Sequence, residues 1–345
     1  MKARVFYSVA NSFAAVLAVS AIILSSWAMA ATDSTPVTID NFVRAESDTA
    51  IQKVYDLVGL GKLFHIRTPT PLDQQNVIRM NRDTLYSSAV LDLSKPSTVT
   101  LPDTSGRYMS LHVINQDHYM FATSKPGKHE LTQKKVGSRY AFLIVRIFVD
   151  ANDAKDTTLA NTIQDKVTIA GGTGSLDIPR WDQEQLKAAR EALNTLAKMG
   201  LDASRAFGSK NHVDPLQHLV GAAAGWGGLP EKNAFYEIEV IEKNDGTPHT
   251  ITVKDVPVDA FWSITVYNSK GYIEENNRGV YSYNNVTAAA NKDGSITINF
   301  GGCDDGRKNC LPFAGEGFYY IWRMYEPGEA FLIGEYAFNL PEEVE

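Results

Sequence analysis

Short β-rich runs, each closed by turn chemistry that Gly, Asn, Asp or Pro supplies, constrain this chain most. In the first half such runs lie at 85–93, 108–114 and 140–149, with turns at Pro102-Asp103-Thr104-Ser105-Gly106 and Lys125-Pro126-Gly127. In the second half they recur at 235–241, 250–253, 260–267, 295–300 and 318–325, between Asn244-Asp245-Gly246, Ser269-Lys270-Gly271 and Lys292-Asp293-Gly294. Short strands with this turn chemistry are expected to pair antiparallel, in the second half as a sandwich or jelly roll. Helical spacing interrupts them at Ile51, Val54, Tyr55 and Val58, and again from Leu186 to Ala197, with Asp182 as cap. A further helix is expected over 214–224, with Pro215 in its first turn and glycines after it. The fold class expected is mainly β with a helical middle section, α+β overall. The organisation expected is a leader at 1–30, a mainly-β domain at 31–175, a helical region at 176–230 and a sandwich-like domain at 231–345.

The leader is read from charge. Lys2 and Arg4 are followed by no charged residue until Asp33, and Ala28-Met29-Ala30 closes the apolar stretch with small residues. That order is a signal peptide cleaved after Ala30, which sends the mature chain to the periplasm or medium. No second long apolar run follows, so no membrane span is expected after cleavage. Of the 33 basic residues two lie in the leader, leaving 31 against 40 acidic ones, a formal charge of −9. Nucleic acid is a poor partner for such a surface. In an oxidising compartment Cys303 and Cys310, around a Gly/Asp/Asn turn, read as a disulfide.

Three passages resemble known families. Asn81-Arg82-Asp83-Thr84-Leu85-Tyr86-Ser87, with Pro102-Asp103 and Gly106-Arg107-Tyr108, is similar to the domain of unknown function DUF1254. Val213-Asp214-Pro215-Leu216-Gln217-His218-Leu219 through Gly225-Trp226-Gly227-Gly228 resembles its partner DUF1214, as does 257–267. The resemblance implies a bacterial protein with a jelly-roll-like second half; it brings no reaction.

The candidate chemistry is acid–base. Asp214 and His218 stand four apart on a helix, so a carboxylate can orient an imidazole there; the competing reading has Asp214 capping the helix. Asn81, Asp83 and Ser87 share one face if the chain is extended, with Tyr86 on the other, a pocket wall or else a self-bonded turn. Arg107 and Trp226 are candidate ligand contacts. His112 and His118 share a face if their strand continues, and two imidazoles can begin a metal site, but no complete ligand motif accompanies them. The loop 150–156 reads as solvated, lacking the central glycine of a calcium loop. No nucleophile elbow, phosphate loop or dinucleotide fingerprint is present. The expectation is a small-molecule site in a cleft between the domains, using Asp83, Tyr86, Asp214 and His218 by acid–base or metal-assisted chemistry, with the cofactor undetermined. The alternatives are a non-catalytic ligand-binding protein and a structural homo-oligomer.

Overall fold

The computed structural model describes residues 34–75, 78–241 and 245–344. The expected leader, its cleavage site and the Asn244 of one expected turn lie outside them. No helix among the described residues is long and apolar enough to cross a membrane.

The chain opens with α1 (Phe42–Val58) and then builds β1 (Phe64–His65), β2 (Thr84–Asp92), β3 (Ser97–Leu101), β4 (Met109–Asn115), β5 (Met120–Thr123) and β6 (Gly127–Leu131). After the short α2 (Gln133–Val136) come β7 (Tyr140–Phe148), α3 (Ala154–Gln164) and β8 (Thr168–Ala170). A five-stranded sheet runs β1-β2-β7-β4-β5, and a three-stranded one runs β6-β3-β8. Along β2 the odd residues Leu85, Ala89 and Leu91 join Leu111, Val113, Leu143 and Val145 in a core against Val99, Leu131 and α3. The even residues point the other way, where Val90, Ile114 and Phe142 pack on Ile51 and Val54 of α1 and on Phe207. Both faces of the sheet are therefore covered, although only part of the second is apolar.

The helical middle holds α4 (Gln183–Ala197), α5 (Ala203–Ala206) and α6 (Pro215–Ala224). Asp182 accepts hydrogen bonds from the Glu184 and Gln185 N–H groups, satisfying donors the first turn leaves free. The expected solvated loop 150–156 gives way at Ala154 to α3, whose remainder the sequence leaves unassigned: Asp153 caps it through the Lys155 N–H, and Ala160 and Ile163 bury against the sheet.

The second half comprises β9 (Ala234–Val240), β10 (His249–Val253), β11 (Val258–Tyr267), β12 (Ser282–Asn284), β13 (Ile296–Phe300), β14 (Cys310–Leu311) and β15 (Tyr319–Pro327), then α7 (Glu329–Leu332) and β16 (Glu342–Glu343). They form two four-stranded sheets, β12-β11-β15-β9 and β14-β13-β10-β16. All their pairings are antiparallel except β13 with β14. Trp262, Ile264, Tyr320, Trp322 and Met324 from the first sheet meet Ile251, Ile298, Phe300 and Leu311 from the second, forming the sandwich core. Cys303 and Cys310 are joined by a disulfide.

Candidate functional site between the two domains

The outward face of β11 and β15 is polar. Opposite residues Ser263 and Arg323 continue to Asn284 on β12 and Tyr236 on β9, and Tyr325 stands opposite Phe261 and Ala234. This face covers the polar part of the second face of the N-terminal sheet, where Tyr86, Arg146 and Ser110 form one row and Thr84 stands opposite Phe148 in the next. Tyr108, Phe148, Phe261, Tyr325, Ala234 and Leu229 close an aromatic contact between the domains. Tyr325 stacks on Phe261 at 4.4 Å between centroids, and Tyr108 lies 5.2 Å from Tyr325.

Around that contact the seam is lined with guanidinium and phenol groups. Arg146, buried, donates to His112 Nδ1 at 3.2 Å and to the Gly227 carbonyl at 3.0 Å, and lies over the Tyr86 ring. Arg323, also buried, donates to Thr265 Oγ1, to the Arg79 carbonyl and to the Tyr267 hydroxyl at 2.5 Å. Burial works against its charge, but Tyr267, Tyr325 and Asp83 outweigh it and raise its pKa. Asn81 Nδ2 bridges the Tyr325 hydroxyl at 2.7 Å and the Tyr86 hydroxyl at 3.3 Å, tying the domains together. Tyr236 is 38% exposed as a residue, while its hydroxyl is buried beside that of Tyr325. Burial raises its pKa, opposed first by the charge of Arg146.

Asp83 sits at the base of the seam, 2% exposed. Its Oδ1 lies 3.4 Å from Ser282 Oγ and from Asn284 Nδ2, while Oδ2 has no hydrogen-bond partner among the described residues. The Ser263 hydroxyl beside it also falls outside ordinary hydrogen-bond geometry, yet it acts on the Asp83 carboxyl as a long hydrogen-bond donor that favours the charged form. Burial pushes the Asp83 carboxyl above the ordinary carboxylate value, opposed first by Arg323.

Asn81, Asp83 and Tyr86 are thus brought together, through the self-bonded turn that is the alternative to an extended chain. Arg79 has φ 61°, β2 begins only at Thr84, and Asn81 Oδ1 accepts the Asp83 N–H, so 81–83 form a self-bonded turn. Ser87 points away, its hydroxyl 2.7 Å from His65 Nδ1.

The other candidate pair stands elsewhere. Asp214 caps α6 through the Leu216 and Gln217 N–H groups and pairs with Arg205 at 2.8 Å. The Gln217 N–H, with help from Arg205, holds its carboxyl below the ordinary value. The ring nitrogens of His218 lie 3.2 Å from the Ala206 carbonyl and 2.9 Å from that of Asp117, and the ring stacks on Tyr119. The two side chains engage different partners.

The premise for a shared strand face at His112 and His118 is corrected: β4 ends at Asn115, and His118 follows in a turn with φ 62°. His118 Nε2 accepts the Gly227 N–H, and His112 Nδ1 accepts from Arg146, so the lone pair of each neutral ring is already used. Burial keeps both neutral, lowering His118 to about 3. Among the described residues no three His, Cys, Asp or Glu side chains are placed to hold a metal. Trp226 donates to Ser47 Oγ and stacks on His118, packed among the helices.

Arg107 lies at the mouth. A cleft of about 310 Å³ between the domains is walled by Tyr108, Phe148 and Phe261 and rimmed by Asp150, Asp153 and Arg107. Arg107 is held by both carboxylate oxygens of Asp156 and donates to the Phe148 carbonyl. Tyr108 is shared: its ring walls the cleft, while its hydroxyl bonds Ser110 in the row of Arg146. Sequence reasoning missed Arg146, Tyr236 and Arg323. The only available signal was an arginine in an otherwise apolar strand, at 146 in 140–149 and at 323 in 318–325.

Residues 60–135 match the family model "Protein of unknown function (DUF1254)", and residues 230–329 match "Protein of unknown function (DUF1214)". No curated protein matches the chain. Among solved structures, the VPA0106 protein from Vibrio parahaemolyticus is 21% identical with a TM-score of 0.67, covering 88% of this chain and 98% of its own. An uncharacterised protein from Burkholderia cenocepacia is 14% identical with a TM-score of 0.49, covering 84% of each chain. The first of these likenesses carries the fold.

Proposed function

We propose that this chain, a two-domain protein with a DUF1254 region followed by a DUF1214 region, takes up a small anionic molecule in the seam between its two facing sheets. One observation carries the reading. The Arg146 guanidinium is buried among neutral partners, the His112 imidazole, the Gly227 carbonyl and the Tyr86 ring. A buried charge normally meets an opposite charge, and a guanidinium is the side chain best shaped for carboxylate or phosphate. The hydroxyls of Tyr86, Tyr236 and Tyr325 supply further donors beside it. Asp83 is the acid–base group of the seam, since burial raises its proton affinity while Arg323 and the neighbouring hydroxyls oppose it.

Calorimetric titration of the mature chain with small carboxylates and inorganic phosphate tests this. Saturable binding is expected, weakened roughly tenfold or more in Arg146→Met, as for a lost charge-assisted hydrogen bond. Silence across the panel in wild-type protein sinks the proposal. The reading also places the mature chain outside the cytoplasm, supported by the Cys303–Cys310 bridge and the leader-like start. The mass of the exported chain checks it: residues 1–30 should be missing.

A further inference from the structure

A second cavity, about 300 Å³, with a lining separate from that of the seam, lies where four parts of the chain converge, its Pro230–Lys232 wall flanked by Leu229 and Ala234 of the inter-domain contact. The start of β5 gives Met120 and Phe121, the loop between α5 and α6 gives His212, the turn before β9 gives Glu231 and Lys232, and α7 gives Leu332. Two local features shape this junction. Gly208 has φ 150°, and its carbonyl accepts the Met120 N–H at 2.9 Å, so the loop continues the edge of the N-terminal sheet. The Asn233 and Ala234 N–H groups both bond the Pro230 carbonyl, a turn that fixes Glu231 and Lys232 side by side on the rim.

The lining has a consistent division. Met120, Phe121 and Leu332 offer an apolar interior, and Leu332 is 41% exposed although apolar. Glu231 and Lys232 put one charge of each sign on the same rim, and no Glu231–Lys232 ion pair is among those described. Burial and the neighbouring Asp202 carboxylate disfavour the Glu231 charge, with His212 opposing, so an ammonium there relieves what its surroundings impose. Pockets of this size with an apolar body and a few convergent polar groups suit small organic molecules.

We infer that this junction binds a small zwitterion with an apolar body, of the kind represented by an apolar amino acid: ammonium on Glu231, carboxylate on Lys232, side chain against Met120, Phe121 and Leu332. The site shares none of these residues with the seam, so either stands without the other.

The test is titration of the mature chain with leucine, with leucinamide, which lacks the carboxylate, and with 4-methylpentanoate, which lacks the amine. Leucine is expected to bind saturably and each truncated analogue roughly tenfold or more weakly, as for one lost charged hydrogen bond. Glu231→Gln should weaken leucine and leucinamide by a similar factor. It should leave 4-methylpentanoate unchanged, and the melting temperature should confirm an intact fold. Shortening leucine to alanine should weaken binding roughly fourfold per methylene-sized group removed. Absence of saturable leucine binding overturns the inference, as does leucine binding that Glu231→Gln leaves untouched. Leucine binding that Arg146→Met abolishes and Glu231→Gln spares also overturns it, assigning the ligand to the seam.

Discussion

The two faces of the sheet β12-β11-β15-β9 carry opposite chemistry although their residues alternate one by one along the same strands. Inward, Trp262, Ile264, Tyr320, Trp322 and Met324 fill the sandwich core. Outward, Ser263, Thr265, Arg323 and Tyr325 meet the N-terminal sheet through arginine and tyrosine, with Asp83 embedded among them. The inward face is stabilised by area removed from water, which needs no particular partner. The outward face depends on charge and on each polar group finding a specific partner; both faces carry buried polar atoms outside ordinary hydrogen-bond geometry, Asp83 Oδ2 and Ser263 Oγ at the seam and the Tyr320 hydroxyl and Trp322 Nε1 in the sandwich core, so it is the buried Arg323 and its partners that set the seam apart. A face that buries a guanidinium against neutral groups is a place to look for binding.

The largest effect should come from the apolar face. Trp322→Ala removes a fully buried ring and should cost roughly 3–5 kcal/mol in denaturant unfolding; a cost below one kcal/mol would mean the sandwich core does not carry the domain. Breaking the Cys303–Cys310 bridge, which closes a loop of sequence separation 7, should cost about 2.5 kcal/mol from the freed unfolded chain. Matched melts of native and reduced protein measure it.

On the polar face the sign is the reverse. The folded-state pKa of Asp83 is raised above its ordinary 3.8, so folding favours its protonated form. The stability it contributes is present below the unfolded value and lost as pH rises through the folded one. Asp83→Asn should therefore match wild type in acid and gain on it as pH rises above 3.8, reaching a plateau once wild-type Asp83 is ionised. Paired melting curves across that range check this, and a variant that loses ground with rising pH reverses the assignment. The smallest effect is expected at Asp214→Asn. Asparagine also caps a helix, so stability at neutral pH should barely change, and anion binding in the seam should not change at all. Loss of that binding would bring α6 back into the site.

Local signals were legible wherever neighbours in sequence set the answer. The cap at Asp182, the proline start of α6 and the antiparallel runs expected at 85–93 and 260–267 and found at 84–92 and 258–267 all follow from periodicity and turn chemistry. Helix α3 was missed because its polar residues dominate its sequence and only Ala160 and Ile163 bury. The seam was half legible. Asp83 and Tyr86 stood out in the Asn81–Ser87 passage, but the spacing that made Asp214 and His218 attractive describes reach along a helix. It says nothing of Ala206, Asp117 and Arg205, which those two side chains engage instead.

By itself, then, the sequence determined the class of fold, the two β-rich halves and the disulfide, because strand alternation, turn residues and a short cysteine spacing act within a few residues of chain. Only the tertiary structure decided that Arg146 and Arg323, 177 positions apart in number, line one seam, and which acid lies beside them. The physical reason is that strand periodicity fixes which face a residue occupies, while what that face meets is set by how two separately folded sheets bury each other.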